Sequence, residues 1–277
     1  MNKIDLHTHS NFSDGTFSPK ELLEYAKVKD LIAVALTDHD TIEGLEEGEY
    51  IANNLGIEFI NGVELSIGVD SKEYHMLGLM FNRKCVGLQK TLDILQAQRK
   101  DRNMEMVSLF RKNNVNINYE DLESTAKGGI ITRAHFSELL IKNNYAKNSK
   151  ESFDKYLSIN SKTYIKRSMF DAKLAIETIH NAGGISILAH PYRYNLNSTE
   201  IEELIIKLKK MGLGGIEAIY SSHKPSEEAF LKRLAKKYNL KISGGSDFHG
   251  LNKPDIDLGD GFGNLNVPSD VLKILKE

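Results

Sequence analysis

The sequence lacks the features that mark a secreted or membrane-spanning protein. Its 277 residues include one cysteine, Cys85, so no internal disulfide can form and a reducing compartment is indicated. No segment approaches the roughly 18 consecutive apolar residues that a membrane-spanning helix needs. The first residues, MNKIDLHTHS, are charged and contain no apolar signal region. We therefore expect a cytoplasmic protein without membrane contact, in which Cys85 is structural.

The sequence also has no excess of positive charge. Lys and Arg total 36 against 38 for Asp and Glu, which gives a net charge of -2. This balance excludes the global basic field that dominates binding to duplex nucleic acid, although it allows a local basic pocket. The eleven Tyr and eleven Phe show no regular interleaving with Lys or Arg. A stacking platform for long single strands is therefore not visible in the sequence.

What the sequence does have is an ordered series of residues that can bind divalent metal ions. Six of the nine histidines belong to this series, and core packing alone would not select them at successive strand ends. Imidazole suits Zn, Mn, Fe and Ni, and a bridging carboxylate can hold two such ions close together. The series is His7, His9, Asp14, His39, Glu64, His75, His190, Asp247 and His249.

The pattern of apolar residues predicts an α/β fold with a helical insertion. In the first eighty residues short apolar runs alternate with helical periodicity, which is typical of a parallel sheet wrapped by helices. Residues 87–164 are helical in pattern, strongly polar and without a convincing strand. The alternation resumes at a capping box, Ser168 to Asp171, that is predicted to open a helix. The early predicted strands are Lys3–His7, Leu31–Leu36, Ile57–Leu65 and Tyr74–Phe81.

A barrel accounts for this pattern better than an open doubly wound sheet, because the ligand candidates come from most of the strands and must converge. Such sites form at the carboxyl ends of parallel strands. We expect residues 1–86 and 165–277 to form the metal-binding barrel. Residues 87–164 are expected to form a small helical insertion that covers the metal site as a cap.

Two pairs in the series have the spacing of residues that bind one ion together. His7 and His9 are two residues apart, so on a strand both imidazoles point to the same side. Asp247 and His249 repeat this spacing near the other end of the chain. Asp14 lies in the turn Ser13-Asp14-Gly15, where turn geometry alone could also select an Asp.

Glu64 ends an apolar run and is the best candidate for a carboxylate that bridges two ions. Asp38 or Asp40, beside His39, could orient an imidazole by accepting its second N–H group. With roughly three protein ligands per ion, nine ligands that share one carboxylate can hold two or three divalent ions. Mn, Fe and Zn all fit this ligand set.

Six segments of the sequence together resemble one known family. HTHSNFSDGTFSP, TDHDT, GVELS, the lone His75, AHP and GGSDFHG are similar, in this order, to the motifs of the PHP (polymerase and histidinol phosphatase) superfamily of metal-dependent phosphoesterases. The resemblance implies a distorted (β/α)7 barrel, similar to a TIM barrel, with a trinuclear site. It implies three ligand sets: His7, His9, Glu64 and Asp247; Glu64, His75 and His190; and Asp14, His39 and His249.

Within the superfamily, the chain resembles the stand-alone branch of nucleoside 3′,5′-bisphosphate phosphatases and 5′-3′ exonucleases. Arg133 and His135 lie in a segment similar to the Arg-x-His-Phe segment of this branch, with Ala134 in place of the usual Pro. Arg193 lies in HPYRY, which resembles HPGRY with Tyr192 in place of Gly. The resemblance implies that Arg133, His135 and Arg193 bind the substrate phosphate.

The predicted function is hydrolysis of a phosphomonoester of a small nucleotide, such as a nucleoside 3′,5′-bisphosphate, by a metal-activated hydroxide. Glu64, Asp247 and His249 are the predicted catalytic residues. The alternatives are a 5′-3′ exonuclease acting on short oligonucleotides and a histidinol-phosphate phosphatase. Two further alternatives are a regulatory module that uses metal for stability alone and an amidohydrolase-type barrel acting on C–N bonds.

Two histidines belong neither to the series nor to the predicted phosphate-binding residues. His180 is predicted to be an ordinary helix residue, and His223 is either a loop residue or a further ligand or proton donor.

Overall fold

The computed structural model describes residues 3–166 and 169–277. In these ranges the chain forms eight strands, ten α-helices and three short helical turns. The strands are β1 (Lys3–Thr8), β2 (Leu31–Leu36), β3 (Glu58–Val69), β4 (Lys72–Leu79), β5 (Phe170–Asp171), β6 (Ile185–Leu188), β7 (Gly215–Tyr220) and β8 (Lys241–Gly245). The helices are α1 (Pro19–Val28), α2 (Leu45–Leu55), α3 (Val86–Lys112), α4 (Tyr119–Ala126), α5 (Arg133–Lys142), α6 (Ser149–Ser152), α7 (Ala172–Asn181), α8 (Ser198–Lys210), α9 (Pro225–Lys237) and α10 (Asp270–Lys276).

The sheet has the order β1-β2-β3-β4-β6-β7-β8, and β5 pairs with β3. The predicted α/β class is confirmed, but the sheet is mixed where the first eighty residues predicted parallel strands, because β4 runs antiparallel to both β3 and β6. Two residues, Asp70 and Ser71, connect β3 to β4, and both have positive φ angles of 48° and 63°. So short a connection forms a hairpin turn and leaves no room for the crossover helix that parallel strands need.

The hairpin changes where two predicted ligands lie. β3 continues to Val69 instead of ending near Leu65, so Glu64 lies inside the strand and not at its end. Because β4 returns antiparallel, its first half lies beside the second half of β3, and His75 pairs in register with Ser66. Both side chains therefore reach the same edge of the sheet as the carboxyl ends of the parallel strands.

Side chains cap several of the helices at their first turn. Ser18 and Glu21 form a capping box at α1, with Pro19 at its first position. The helix that was predicted to follow the capping box at Ser168 is α7. Ser168 lies outside the described residues, and α7 begins at Ala172, where Asp171 Oδ1 accepts a hydrogen bond from Leu174 N.

Residues 86–157 contain four helices and a π-helical turn, as the polar helical pattern predicts. These helices bury an apolar cluster of their own, in which the rings of Phe110 and Phe136 stack at 5.7 Å between centroids. Leu122, Leu140 and Leu157 complete its centre. No helix in the described ranges has both the length and the apolar character needed to cross a membrane.

The two ends of the sheet meet beyond the carboxyl end of β8. Thr8 forms an isolated parallel bridge with Phe248. Asp247 N donates to His7 O at 2.8 Å, and His9 N donates to Phe248 O at 2.9 Å. These contacts bring the HxH and DxH segments to one place.

Candidate metal centre

Glu64 is the centre of the nine-residue series. Its side chain is buried, and five imidazoles surround its two oxygens. Oε2 lies 3.3 Å from His7 Nε2, 3.2 Å from His9 Nε2 and 3.2 Å from His39 Nδ1. Oε1 lies 2.9 Å from both His75 Nδ1 and His190 Nε2.

The other two carboxylates lie on either side of the HxH pair. Asp247 Oδ1 is 3.4 Å from His9 Nε2 and 3.6 Å from His7 Nε2. Asp14 Oδ1 is 3.3 Å from His249 Nε2, so this aspartate belongs to the cluster and is not selected by turn geometry alone. The structure therefore brings all nine residues of the series together.

Three groups within the cluster have ligand atoms within 4.8 Å of one another. One has the same members as a predicted set, and a second adds His9 to the predicted trio. The third contains His39 where the resemblance implied His190, although His190 contacts Glu64 directly. The groups are His7, His9, Glu64 and Asp247; His9, Asp14, His39 and His249; and His39, Glu64 and His75.

Five atoms of the nine residues are buried without a hydrogen-bond partner: His7 Nε2, His9 Nε2, Asp14 Oδ1, His39 Nδ1 and His190 Nδ1. Buried polar atoms are nearly always paired, so an unpaired group of this size indicates a ligand. Imidazole nitrogens beside carboxylate oxygens form a donor set that suits divalent transition metals. The residues thus fit the divalent ions that the sequence predicts.

Glu217 supports the cluster from β7, and the sequence reasoning missed it. Its Oε1 lies 2.9 Å from His7 Nδ1, and its Oε2 accepts from His190 N at 2.8 Å. The side chain is completely buried. A charged residue inside the apolar strand Gly215–Tyr220 was the available signal, since a buried carboxylate needs partners.

Asp38, which we expected to orient an imidazole, reaches His9 through the hydroxyl group of Ser13. Asp38 accepts from Ser10 N and from Ser13 Oγ, and Ser13 Oγ in turn lies 3.4 Å from His9 Nδ1. Asp40 accepts from Ser66 N and pairs with Arg99 of α3. Asp38 therefore acts on His9 through a hydroxyl, and Asp40 links the sheet to the insertion.

Asp247 is held by two residues that the sequence did not indicate. Its Oδ2 accepts from Tyr220 Oη and from Lys253 Nζ, both at 2.7 Å. Its Oδ1 is left facing His7 and His9.

The imidazoles and carboxylates shift each other's pKa values. Burial alone would raise the pKa of Glu64, but His75, His7 and His39 lower it well below its usual range. Burial lowers the pKa of His39 to about 3. Burial would likewise raise the pKa of Asp14, but His39 and His249 lower it well below its usual value. The carboxylates are therefore charged and His39 is neutral at neutral pH, which are the forms that bind metal.

A cavity of about 200 Å³ opens onto the cluster. Five cationic side chains line it together with residues of the cluster. Burial, together with Arg133 and Arg99 nearby, lowers the pKa of Arg102 to about 10. The sequence indicated two of the five cations and missed those that reach the cavity from α3 and from the segment after β8. The five are Arg99, Arg102, Arg133, Arg193 and Lys253.

The three predicted phosphate-binding residues are placed differently from one another. Arg133 is the first residue of α5 and lines the cavity. Arg193 lines it too, and its Nη1 donates to Tyr220 Oη at 3.0 Å. His135 is buried, and its Nδ1 accepts from Thr132 N at 3.0 Å within the capping box of α5. One nitrogen of His135 is therefore used to hold the turn that carries Arg133.

The two remaining histidines have structural contacts. His180 lies at the end of α7, with Nε2 3.1 Å from Ser186 Oγ. His223 is buried, its Nδ1 lies 3.0 Å from Ala218 O, and its Nε2 has no hydrogen-bond partner. His223 packs against Tyr220, and Tyr220 donates to Asp247. His223 is therefore linked to the cluster through Tyr220.

Residues 5–171 match the PHP domain family, a share of more than half of the chain. The chain belongs to the PHP domain family. A 5′-3′ exoribonuclease of Haemophilus influenzae is 37% identical over 247 residues, which is 89% of this chain and 90% of the relative. A 3′,5′-nucleoside bisphosphate phosphatase of Chromobacterium violaceum is 31% identical over 260 residues, covering 94% and 91% of the two chains.

Solved structures of this PHP protein's relatives have the same fold. A protein of Bifidobacterium adolescentis assigned as a metal-dependent phosphoesterase superposes with a TM-score of 0.88 at 26% identity, over 99% and 95% of the two chains. A protein of Chromobacterium violaceum, described as an amidohydrolase with bound sulfate, gives 0.86 at 31% identity, over 93% and 90%. The predicted family and the predicted class, a hydrolase acting on phosphoric ester bonds, are confirmed.

Proposed function

We propose that this protein removes the 3′-phosphate from nucleoside 3′,5′-bisphosphates and, at the same site, cleaves the first phosphodiester of short 5′-phosphorylated oligonucleotides. The observation that carries the proposal is the cavity at the Glu64 cluster, where five cations line the wall beside Glu73 and the carboxylates of the cluster. Five cations, together with the divalent ions that these carboxylates would hold, suit a substrate with more than one phosphate.

The two activities require one bond-breaking step. Water attacks phosphorus, the bond between phosphorus and O3′ breaks, and O3′ leaves with a proton. A bisphosphate then gives a 5′-nucleotide and inorganic phosphate. An oligonucleotide gives a 5′-nucleotide and a shortened chain with a new 5′-phosphate. The relatives named a bisphosphate phosphatase and a 5′-3′ exoribonuclease support this choice of bond.

We assign the nine residues of the series as ligands of two or three divalent ions, with Mn, Fe and Zn as candidates. Glu64 would be shared, since its two oxygens face different imidazoles. The chemistry that such ions supply is acidification of water and neutralisation of phosphoryl charge. Asp247 and His249 would complete the catalytic centre. Lys253 and Tyr220 fix Asp247 by donating hydrogen bonds to its Oδ2.

Arg133 and Arg193 are assigned to the phosphates of the substrate. Guanidinium groups bind phosphate through paired N–H donors, and such fixed donors stabilise charge that develops in the transition state. His135 would position Arg133 by capping α5 and would contact phosphate only through its second nitrogen.

We further propose that β1 and β8 close the sheet into the distorted (β/α)7 barrel and that residues 87–164 are its cap. The contact between Thr8 and Phe248 supports closure. The cap assignment is supported by the position of Arg99, Arg102 and Arg133, which reach the cavity from helices α3 and α5.

Histidinol phosphate is the less favoured substrate, because its own ammonium group would lie in a cavity that already holds five cations. The test is to supply metal-reconstituted protein with adenosine 3′,5′-bisphosphate, with histidinol phosphate and with a 5′-phosphorylated RNA trinucleotide. We expect inorganic phosphate from the first and 5′-nucleotide from the third, both abolished by Glu64→Gln. Faster phosphate release from histidinol phosphate, or release of ammonia from an amide as the main activity, would contradict the proposal.

A further inference from the structure

A second cavity, of about 430 Å³, adjoins the metal cavity. The two cavities share Glu73 and Arg133 as lining residues, so a molecule bound in one is next to the other. Pockets for small ligands measure about 300–1,000 Å³, which makes this space large enough for a nucleotide. The relatives' names assign nothing to it.

Aromatic and apolar groups from distant parts of the chain line this second cavity. Tyr164 lies at the boundary between the two cavities. Its ring lines the second cavity, and the ring centre is 5.6 Å from Cζ of Arg102, which lines the first. Tyr74 packs edge-to-face against Tyr194 at 4.8 Å between ring centres. Ile159, also in the wall, is 71% exposed, although it is a large apolar residue. Tyr164 and Ile159 therefore offer a surface on which a planar base can stack, and the buried Tyr74 supports the wall.

The charge of the second cavity suits a nucleic-acid backbone. Lys72, Lys166 and Arg133 line it, against one acidic residue, Glu73. Cations beside stacking rings are the combination that binds single-stranded nucleic acid without reading its sequence. In the linear sequence Tyr74 and Tyr164 are far apart, which is why no stacking platform was visible there.

We propose that the second cavity binds the nucleotide on the 3′ side of the scissile phosphodiester. The proposal rests on the function proposed above. In a nucleoside 3′,5′-bisphosphate the 3′-phosphate ends the molecule, whereas in an oligonucleotide the corresponding phosphorus carries a further nucleotide. This second cavity gives that nucleotide a place and so makes the protein an exonuclease as well as a phosphatase.

The test compares substrates that differ only in that nucleotide. KM is measured for adenosine 3′,5′-bisphosphate and for a 5′-phosphorylated RNA trinucleotide, with wild type, Tyr164→Ala and Tyr164→Phe. Loss of one stacked base weakens binding by about tenfold or more. We expect Tyr164→Ala to raise the KM of the trinucleotide at least tenfold more than that of the bisphosphate, and Tyr164→Phe to restore the wild-type ratio. Tyr50→Ala, at an exposed tyrosine of α2, is the control and leaves the ratio unchanged.

A binding measurement separates this proposal from the proposed reaction. The trinucleotide, labelled at its 3′ end, is titrated with protein in EDTA and followed by fluorescence anisotropy. Tyr164→Ala should weaken binding about tenfold, and Lys72→Gln should weaken it less while reducing the dependence on salt. Equal KM changes for both substrates, or unchanged binding in the Tyr164 and Lys72 variants, would overturn the subsite. Binding that depends on Tyr164 without any hydrolysis by wild type would instead contradict the proposed reaction alone.

Discussion

Oε1 of Glu217 lies 2.9 Å from Nδ1 of His7, in a position where both side chains are completely buried. A carboxylate can only accept here, so His7 donates from Nδ1, and Nε2 is the nitrogen that faces Glu64 and Asp247. The second oxygen of Glu217 accepts from the backbone of His190. One carboxylate thus fixes the orientation of two residues of the metal centre without being a ligand itself.

Replacing Glu217 by Gln is expected to weaken metal binding. The amide can hydrogen-bond His7 but removes the negative charge that makes the imidazole a stronger ligand. Changes of this kind cost about 10- to 100-fold in metal affinity or activity. Competition with a chelating dye measures the affinity, and Glu228→Gln, on the surface of α9, is the control. Equal affinity in wild type and Glu217→Gln would show that Glu217 has only a packing role.

The ordered motifs made the cluster predictable because ligands at carboxyl ends of parallel strands must converge. Asp14 is an example. Its position in the ordered series predicted that it lies in the cluster, although turn geometry alone could also have explained an Asp there. The hairpin of β3 and β4 was also open to prediction, because Asp70 and Ser71 leave too few residues for a crossover. Glu217 could have been found by asking what neutralises a charge inside an apolar strand.

The cavities could not be predicted in the same way. Arg99 and Arg102 lie on a long polar helix, where charged residues usually face solvent. Their approach to the metal centre depends on how α3 packs over the sheet, which no local pattern records. The same holds for Tyr164 and Tyr74, which come together only through the tertiary fold.

Arg133→Ala is expected to lower kcat/KM for adenosine 3′,5′-bisphosphate by about 100-fold, because removing one fixed donor from a developing charge has effects of this size. Metal content should stay at the wild-type value, since Arg133 is not among the residues of the cluster. Arg83→Ala, which removes a surface pair with Glu49, is the matched control. Steady-state kinetics with unchanged kcat/KM would remove Arg133 from the substrate site.

Two variants of His135 separate its structural role from a chemical one. His135→Ala removes the acceptor for Thr132 N and should lower the free energy of unfolding by about 1 kcal/mol. Gln at this position of a capping box also reaches the backbone N–H, so His135→Gln should restore both stability and turnover. Denaturant unfolding and kcat are measured on each. A stable His135→Gln protein with low turnover would instead show that the imidazole contacts phosphate.

Lys29 gives the fold a pH-dependent contribution that is independent of the metal centre. It donates to Asp257 at 2.8 Å and to Asp260 at 2.5 Å. Hydrogen bonds from Lys29 and Lys3 lower the pKa of Asp260 below its usual value. Burial would raise the pKa of Asp257, but hydrogen bonds from Lys29 and Tyr25 lower it.

Carboxyls with a lowered pKa stabilise the fold above their unfolded pKa and lose this contribution as the pH falls through the folded value. Lys29→Met should therefore lower the free energy of unfolding by up to about 1 kcal/mol at pH 7, a size expected for a partly exposed pair. The difference from wild type should shrink below about pH 4. Urea unfolding of wild type and Lys29→Met at pH 7 and pH 3 measures both effects. The same difference in the free energy of unfolding at the two pH values would show that Lys29 does not act through the two aspartates.

The metal content of the reconstituted protein tests the central claim most directly. The nine residues of the series converge at Glu64, and five of their buried atoms have no hydrogen-bond partner. Protein stripped with chelator, reloaded with Mn, Fe or Zn and freed of excess ion should contain two or three ions per chain by elemental analysis. Glu64→Gln should contain fewer. One ion or none in the fully reloaded wild-type protein would contradict the multinuclear centre on which the proposed function depends.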